Sequence, residues 1–201
     1  MARPRNDGSP SAAARLESAF FDELETRPFP EITVSALVRA AGVNRNSFYY
    51  HYADLDDLAR SAVAHQLVPE IPRLIAGGFG IESDQVEEAL LAAIGDERLR
   101  HMLAVAGRNS TSALREMLKD AVLDLWLNAF QLERDDLDDL ETATVRFALG
   151  GMIEVLSRIQ TSDLRSVLTT MRGLPILQSS SRLTMTALAA AAARATPSVS
   201  R

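Results

Sequence analysis

Apolar residues return at helical spacing along most of this chain. Leu16, Ala19, Phe20 and Leu24 make one stripe and predict a first helix from Ser11 to about Thr26. Arg27-Pro28-Phe29-Pro30 stops it, because a run with proline at both 28 and 30 cannot continue a helix. Val34, Leu37, Val38 and Ala41 repeat the pattern at i, i+3, i+4 and i+7 behind Thr33, which is suited to cap the helix. Gly42 ends this second helix, since a residue without Cβ takes positive φ cheaply. Val43 fills the corner, and Asn44 caps a third helix, Arg45 to His51. Phe48 faces the stripe and Tyr52 closes the apolar cluster. Asp54, with Asp57 three residues on, opens a fourth helix with the stripe Leu55, Leu58, Ala59, Ala62 and Val63. Pro69 and Pro72 end or bend it.

Beyond a glycine-rich stretch at 76–83, read as a loop, helical spacing resumes. It predicts helices over about Asp84 to Ile94, Asp96 to Ala106, Ser112 to Gln131, Asp138 to Gln160 and Ser162 to Leu174. Pro175 breaks the chain again, and one more Ala-rich helix is expected from Arg182 to Arg194. No run alternates with β-branched residues for long, so the fold class is all-α. The expected organisation is an arm over 1–10, a helix-turn-helix unit over 11–53, a connecting helix over 54–75, a helical domain over 76–178 and a tail over 179–201.

Composition narrows the classes. The chain has 201 residues, 47% of them hydrophobic, enough for one large domain or two small ones. It has no Cys, which excludes a disulfide scaffold and a thiolate metal site. No apolar run approaches the roughly 18 residues of a membrane span, and the two early arginines have no apolar segment behind them, so a cytoplasmic protein is expected. The three histidines, His51, His65 and His101, form no HExxH or other metal-like pair, and no GxSxG nucleophile motif is present. The glycines of 76–83 follow no strand and precede no GK[ST], so they are not a phosphate cradle. The acidic run Glu133 to Glu141 is interrupted by Leu137 and Leu140 at helical spacing, which makes it a solvated loop and helix start. No catalytic residue, metal or cofactor is expected.

The third helix carries the chemistry. Asn44, Arg45, Asn46, Ser47, Tyr49, Tyr50 and His51 crowd into eight positions, and an exposed helix dense in hydrogen-bonding side chains suits a DNA major groove. Arg45 could pair bidentately with guanine O6 and N7, worth about 1–3 kcal/mol of discrimination. Asn44 is engaged as the cap, so Asn46 is the better candidate for adenine. Tyr49 and Tyr50 offer neutral donors to phosphates; packing of one of them into the core is the alternative. His51 suits either a phosphate or the helix end. Arg3 and Arg5 could enter a minor groove, though a tail with no DNA role is the plainer account.

Charge tempers this picture. The net charge is −6, yet residues 1–52 hold six Arg and six acids, so the acidic excess lies beyond the third helix. A neutral DNA module implies few phosphate contacts and modest affinity per subunit, hence a need for dimerisation.

The block ITVSALVRAAGVNRNSFYYHY (32–52), followed by a D-x-x-D-L start to the fourth helix, resembles the TetR family of bacterial transcriptional regulators over about Leu16 to Val63. The resemblance implies an all-helical dimer with an N-terminal helix-turn-helix and a larger C-terminal domain that binds an inducer and dimerises. Carried over by position, Asn44 to Ser47 are the base-facing end of the recognition helix. Tyr49, Tyr50 and His51 are then its phosphate-gripping end, and Thr33 is a cap whose hydroxyl meets a phosphate. One departure is Leu55, flanked by Asp54 and Asp56, where many members have a Lys near the DNA backbone.

In the C-terminal half Met102, Leu123, Trp126, Phe130, Phe147 and Met152 could line an apolar pocket for an unknown small apolar ligand; plain core is the alternative. Ala148 and Gly151 let another helix approach closely. That helix is expected at a homodimer interface, paired with Asp163 to Arg172 and their two-fold mates, with a kink at the double Gly as the competing account. The expected function is a repressor that binds a palindromic double-stranded operator as a dimer and is released by a ligand. The alternative is a protein-interaction module of the same shape that has lost DNA binding.

Overall fold

The computed structural model describes residues 10–74, 84–159 and 163–195, and over these the protein is helical with no strand. Arg3, Arg5 and nearly all of the amino-terminal arm lie outside the described residues, as does the 76–83 stretch read as a loop. The helices are α1 (Ala12–Thr26), α2 (Val34–Ala40), α3 (Arg45–His51), α4 (Leu55–Gln66), α5 (Ile71–Leu74), α6 (Asp84–Ala106), α7 (Ser112–Phe130), α8 (Asp139–Arg158), α9 (Leu164–Arg172) and α10 (Pro175–Ala195). Short 3-10 turns stand at Phe29–Glu31 and Arg134–Asp136.

The helix starts follow the polar residues that precede them. Ser11, Thr33, Asn44, Asp54, Thr111, Asp138 and Asp163 each accept a hydrogen bond from a backbone N–H in the first turn of the helix they open. Each so satisfies a donor that the helix itself leaves open. Between α2 and α3 the stop is a glycine turn. Gly42 sits at φ 62°. Its N–H donates to the Arg39 carbonyl at 3.3 Å, and the Val43 N–H reaches back to the Val38 carbonyl at 3.0 Å. That pair of bonds is a Schellman closure, and it places Val38 and Val43 together against the core. Gly95 (φ 67°, ψ 166°) breaks α6 at the point the sequence separates Ile94 from Asp96.

α1 is the axis of the amino-terminal part, packed by α2, α3 and α4. Leu16, Phe20, Phe21, Leu24, Leu37, Phe48 and Leu58 are fully buried there. Phe20 meets Phe29 edge to face at 6.0 Å. α1 and α4 also rest on α6, and α4 on α7. The seam is specific. Asn109, in the α6–α7 turn, donates through Nδ2 to the carbonyls of Leu24 at 2.8 Å and Glu25 at 3.0 Å, and its own carbonyl accepts from the Phe29 N–H at 2.8 Å.

Two expectations are corrected here. Pro175 begins α10 instead of breaking the chain, so the last helix starts seven residues ahead of Arg182. Proline suits a first helical turn, where its missing N–H has no partner to lose. α8 packs most extensively on α10, whereas α9 lies against α6 and α10. The α8–α10 contact is clasped by Arg194, whose guanidinium donates to both carboxylate oxygens of Glu141 at 2.7 and 2.6 Å. The far end of the expected Asp138–Gln160 helix stops at Arg158, and residues 160–162 lie outside the described residues.

Candidate nucleic-acid interface and the cavity behind it

α3 is only seven residues long and is held by its inner side. Phe48 is fully buried beneath α1 and α2, and Tyr52, at the helix exit, is buried beside it with ring centroids 5.9 Å apart. At about 100° per residue, Arg45, Tyr49, Asn46 and Tyr50 fall on one contiguous arc opposite Phe48. All four are exposed, Tyr50 by 84% and Tyr49 by 49%. Neither tyrosine is in the core; Tyr52 takes that place.

Each expected contact residue has a definite setting. Asn44 Oδ1 accepts from the Ser47 N–H at 2.7 Å, so its acceptor is engaged in capping while Asn46 stands free in solvent. Ser47 is half-buried at the edge of the arc. Arg45 lies over the Tyr49 ring, its guanidinium carbon 5.6 Å from the centroid, and donates to the Tyr49 hydroxyl at 3.2 Å. The exposed Thr33 hydroxyl accepts from the Ala36 N–H at 3.2 Å, which leaves its proton free to donate outward. His51 is exposed and edge-on to Tyr50 at 5.0 Å, and makes no hydrogen bond to the α3 carbonyls among the described residues. Asp54 and Asp56 are exposed next to this surface, and Leu55 is half-buried between them. The arc therefore carries one cation, one amide and two phenols, bordered by acids.

The inner side of this arrangement holds a group that no motif or spacing along the chain marks. Glu17, on α1, is buried and accepts from the Tyr52 hydroxyl at 2.8 Å, the Ser61 hydroxyl at 3.0 Å and His65 Nδ1 at 2.9 Å. α1, the end of α3 and α4 meet on one carboxylate. Burial first, and then the hydrogen bond to Glu17 followed by its charge, push the Tyr52 hydroxyl well above the ordinary tyrosine value, so it stays a donor.

Behind this layer, α4 to α9 enclose a cavity of about 170 Å³. Met102, Trp126 and Met152 line it, together with Leu67, Ile71, Leu90, Val167 and Leu168. Three expected lining residues do not. Leu123 is buried in the core, Phe130 stacks outside the cavity against Trp126 at 6.5 Å, and Phe147 is 70% exposed on the outer side of α8. Helical spacing marks a residue as apolar without saying which neighbour covers its face. A smaller cavity of about 90 Å³ adjoins the first across Trp126, Met152 and Met171.

Phe147 belongs to an apolar exterior. Leu140 and Phe147 on α8 and Ile176 and Leu183 on α10 are all exposed, and Gly151 continues the α8 row. Among the described residues no cluster of acids and histidines has the makings of a metal site, and no helix is long and apolar enough to cross a membrane. No protein-family model matches the chain, and none of the curated proteins does either.

Proposed function

We propose that this protein is a DNA-binding transcriptional regulator of the TetR type, which reads a palindromic operator as a homodimer and answers to a small ligand. The observation that carries the reading is the solvent-facing arc of α3. Arg45, Asn46, Tyr49 and Tyr50 are exposed together on a short helix whose opposite side is anchored by Phe48 and Tyr52. A rigid helix showing an arginine, an amide and neutral phenols has the groups that base edges and phosphates require. Thr33, at the start of α2, offers a further hydroxyl.

Dimerisation is proposed through the outer faces of α8 and α10, where Leu140, Phe147, Ile176 and Leu183 meet water. The two helices and their two-fold mates would form a four-helix interface in place of the α8–α9 pairing expected from sequence. Two recognition helices must then stand about 34–36 Å apart to enter successive major grooves. Ligand response is proposed for the 170 Å³ cavity. Its wall includes Gln66, the last residue of α4, and the first residues of α4 follow directly on α3. A ligand that favours one spacing of the two heads shifts operator affinity by that preference alone. Such a regulator would work in the cytoplasm, where its DNA is.

Asp54 and Asp56 beside the arc favour the second reading, an interaction module without DNA binding. Selection of bound duplexes from a random pool separates the two. A palindrome with half-sites one helical turn apart, bound with a steep salt dependence, is the result expected of a regulator. Failure to retain any duplex at low salt would overturn it.

A further inference from the structure

Among the described residues the wall of the 170 Å³ cavity has one side chain that can both donate and accept, Gln66, besides the donor-only indole of Trp126, and no charged one. The Gln66 amide is held in a fixed orientation. Nε2 donates to the Ala62 carbonyl at 3.3 Å, so Oε1 faces His101 Nδ1 at 3.0 Å and accepts its proton. His101 is itself locked, 5% exposed and stacked flat on Phe21 at 4.0 Å with 6° between the rings. Burial, and then the charge of Arg100, lower its pKa, so the ring is a neutral donor through Nδ1 with a bare Nε2. Gln66 thus spends one donor and one lone pair within the protein and keeps one of each.

Two features of the cavity limit what can occupy it. An apolar cavity of about 150 Å³ holds a benzene-sized molecule, so this one has room for a single ring with small substituents. Among the described residues the wall carries no charge, and such a lining disfavours a carboxylate or an ammonium, whose burial without a partner costs far more than apolar contact returns. A single amide with both a donor and an acceptor to spare matches a hydroxyl, the smallest group that does both. We propose that the cavity binds a neutral single-ring phenol or similar small aromatic alcohol, with its hydroxyl on Gln66 and its ring among Met102, Trp126 and Met152. This rests on the regulator reading for what occupancy does, and on the cavity alone for what binds.

The test is calorimetric titration of the full-length protein with p-cresol, with p-xylene (the same shape, with methyl in place of hydroxyl) and with p-toluate. Trp126 is the chain's one tryptophan and lines both this cavity and the smaller one beside it. A shift in its emission therefore places the ligand next to Trp126, and the variant at Gln66, whose side chain lines the larger cavity alone, tells the two apart. p-Cresol is expected to bind at least as tightly as p-xylene, although its hydroxyl is the costlier group to take from water, and p-toluate is expected not to bind. Gln66→Met should weaken p-cresol about three- to tenfold, the worth of one hydrogen bond, and leave p-xylene unchanged. Retained p-xylene binding shows that the variant cavity is intact. Should the variant not fold, the comparison of the two ligands on the unaltered protein decides alone. Tight p-xylene with p-cresol tenfold weaker, an unchanged p-cresol affinity in the variant, or binding of neither ligand would overturn the proposal. Saturable p-cresol binding that leaves duplex affinity unaltered would uphold the phenol site and remove the regulator mechanism instead.

Discussion

The Tyr52 hydroxyl donates to Glu17 Oε1 at 2.8 Å, across 35 positions of sequence, and so ties the exit of α3 to the middle of α1. A phenylalanine at 52 would fill the same apolar space. The hydroxyl is what makes the position directional, and Ser61 and His65 bring α4 onto the same carboxylate. Tyr52→Phe should cost about 1 kcal/mol in urea denaturation, and Glu17→Leu, which strips the acceptor from all three donors, about 2–3 kcal/mol. Because the folded-state value of Tyr52 is raised, its stabilisation is whole below the ordinary tyrosine value of about 10 and is lost as pH climbs beyond it. Tyr52→Phe should flatten that alkaline decline. An unaltered alkaline profile would show that the bond contributes nothing.

On selected duplex DNA, Arg45→Ala should cost about 1–3 kcal/mol and relax preference at one base pair, as expected for loss of a bidentate base contact. Tyr50→Phe should weaken all sequences alike, because a phosphate contact carries no base information. Binding measured across single-base variants of the selected site distinguishes the two patterns. Parental behaviour in both variants would take α3 out of the groove.

Phe147→Glu should convert a dimer to a monomer in sedimentation velocity while leaving the helical circular dichroism in place. Phe147 is 70% exposed, so the substitution creates no buried charge within the protomer. Persistence of the dimer would move the interface away from α8.

His101 gives an acid-side prediction. Its pKa is lowered in the folded protein, so its stabilisation is complete above the ordinary histidine value and is lost as pH falls through the folded one. The melting midpoint should therefore fall between about pH 7 and pH 5, around and below the histidine reference of ~6.5. His101→Phe keeps the stack on Phe21 and should reduce that slope. An equal slope in both proteins would assign the decline to carboxylates.

Local chemistry was legible in the sequence, and partner choice was not. Thr33, Gly42, Asn44 and Asp54 act through bonds to residues three or four positions away, so their types announce their roles. Gly95 likewise marked its own break. Pro175 misled because proline both ends helices and begins them, and the residues ahead of it decide which. Phe147 reads as core because an apolar residue at helical spacing carries no record of whether the far side is protein or water. Met102, Trp126 and Met152 reach the cavity while Leu123, of the same apolar character, does not, since that distinction is made by α4, α5 and α9 closing around them. Glu17 gave no signal, because its partners lie 35 to 48 residues downstream.

Asn109 has a consequence for how the chain is divided. The last carbonyls of α1 and the amide of Phe29 find their partners on one side chain and one carbonyl some eighty residues later. A fragment ending near residue 74 would leave those groups to solvent and strip the Phe21 ring of the imidazole that shields it. Grafted onto another protein, the front end would keep these bonds only if the corner after α6 came with it.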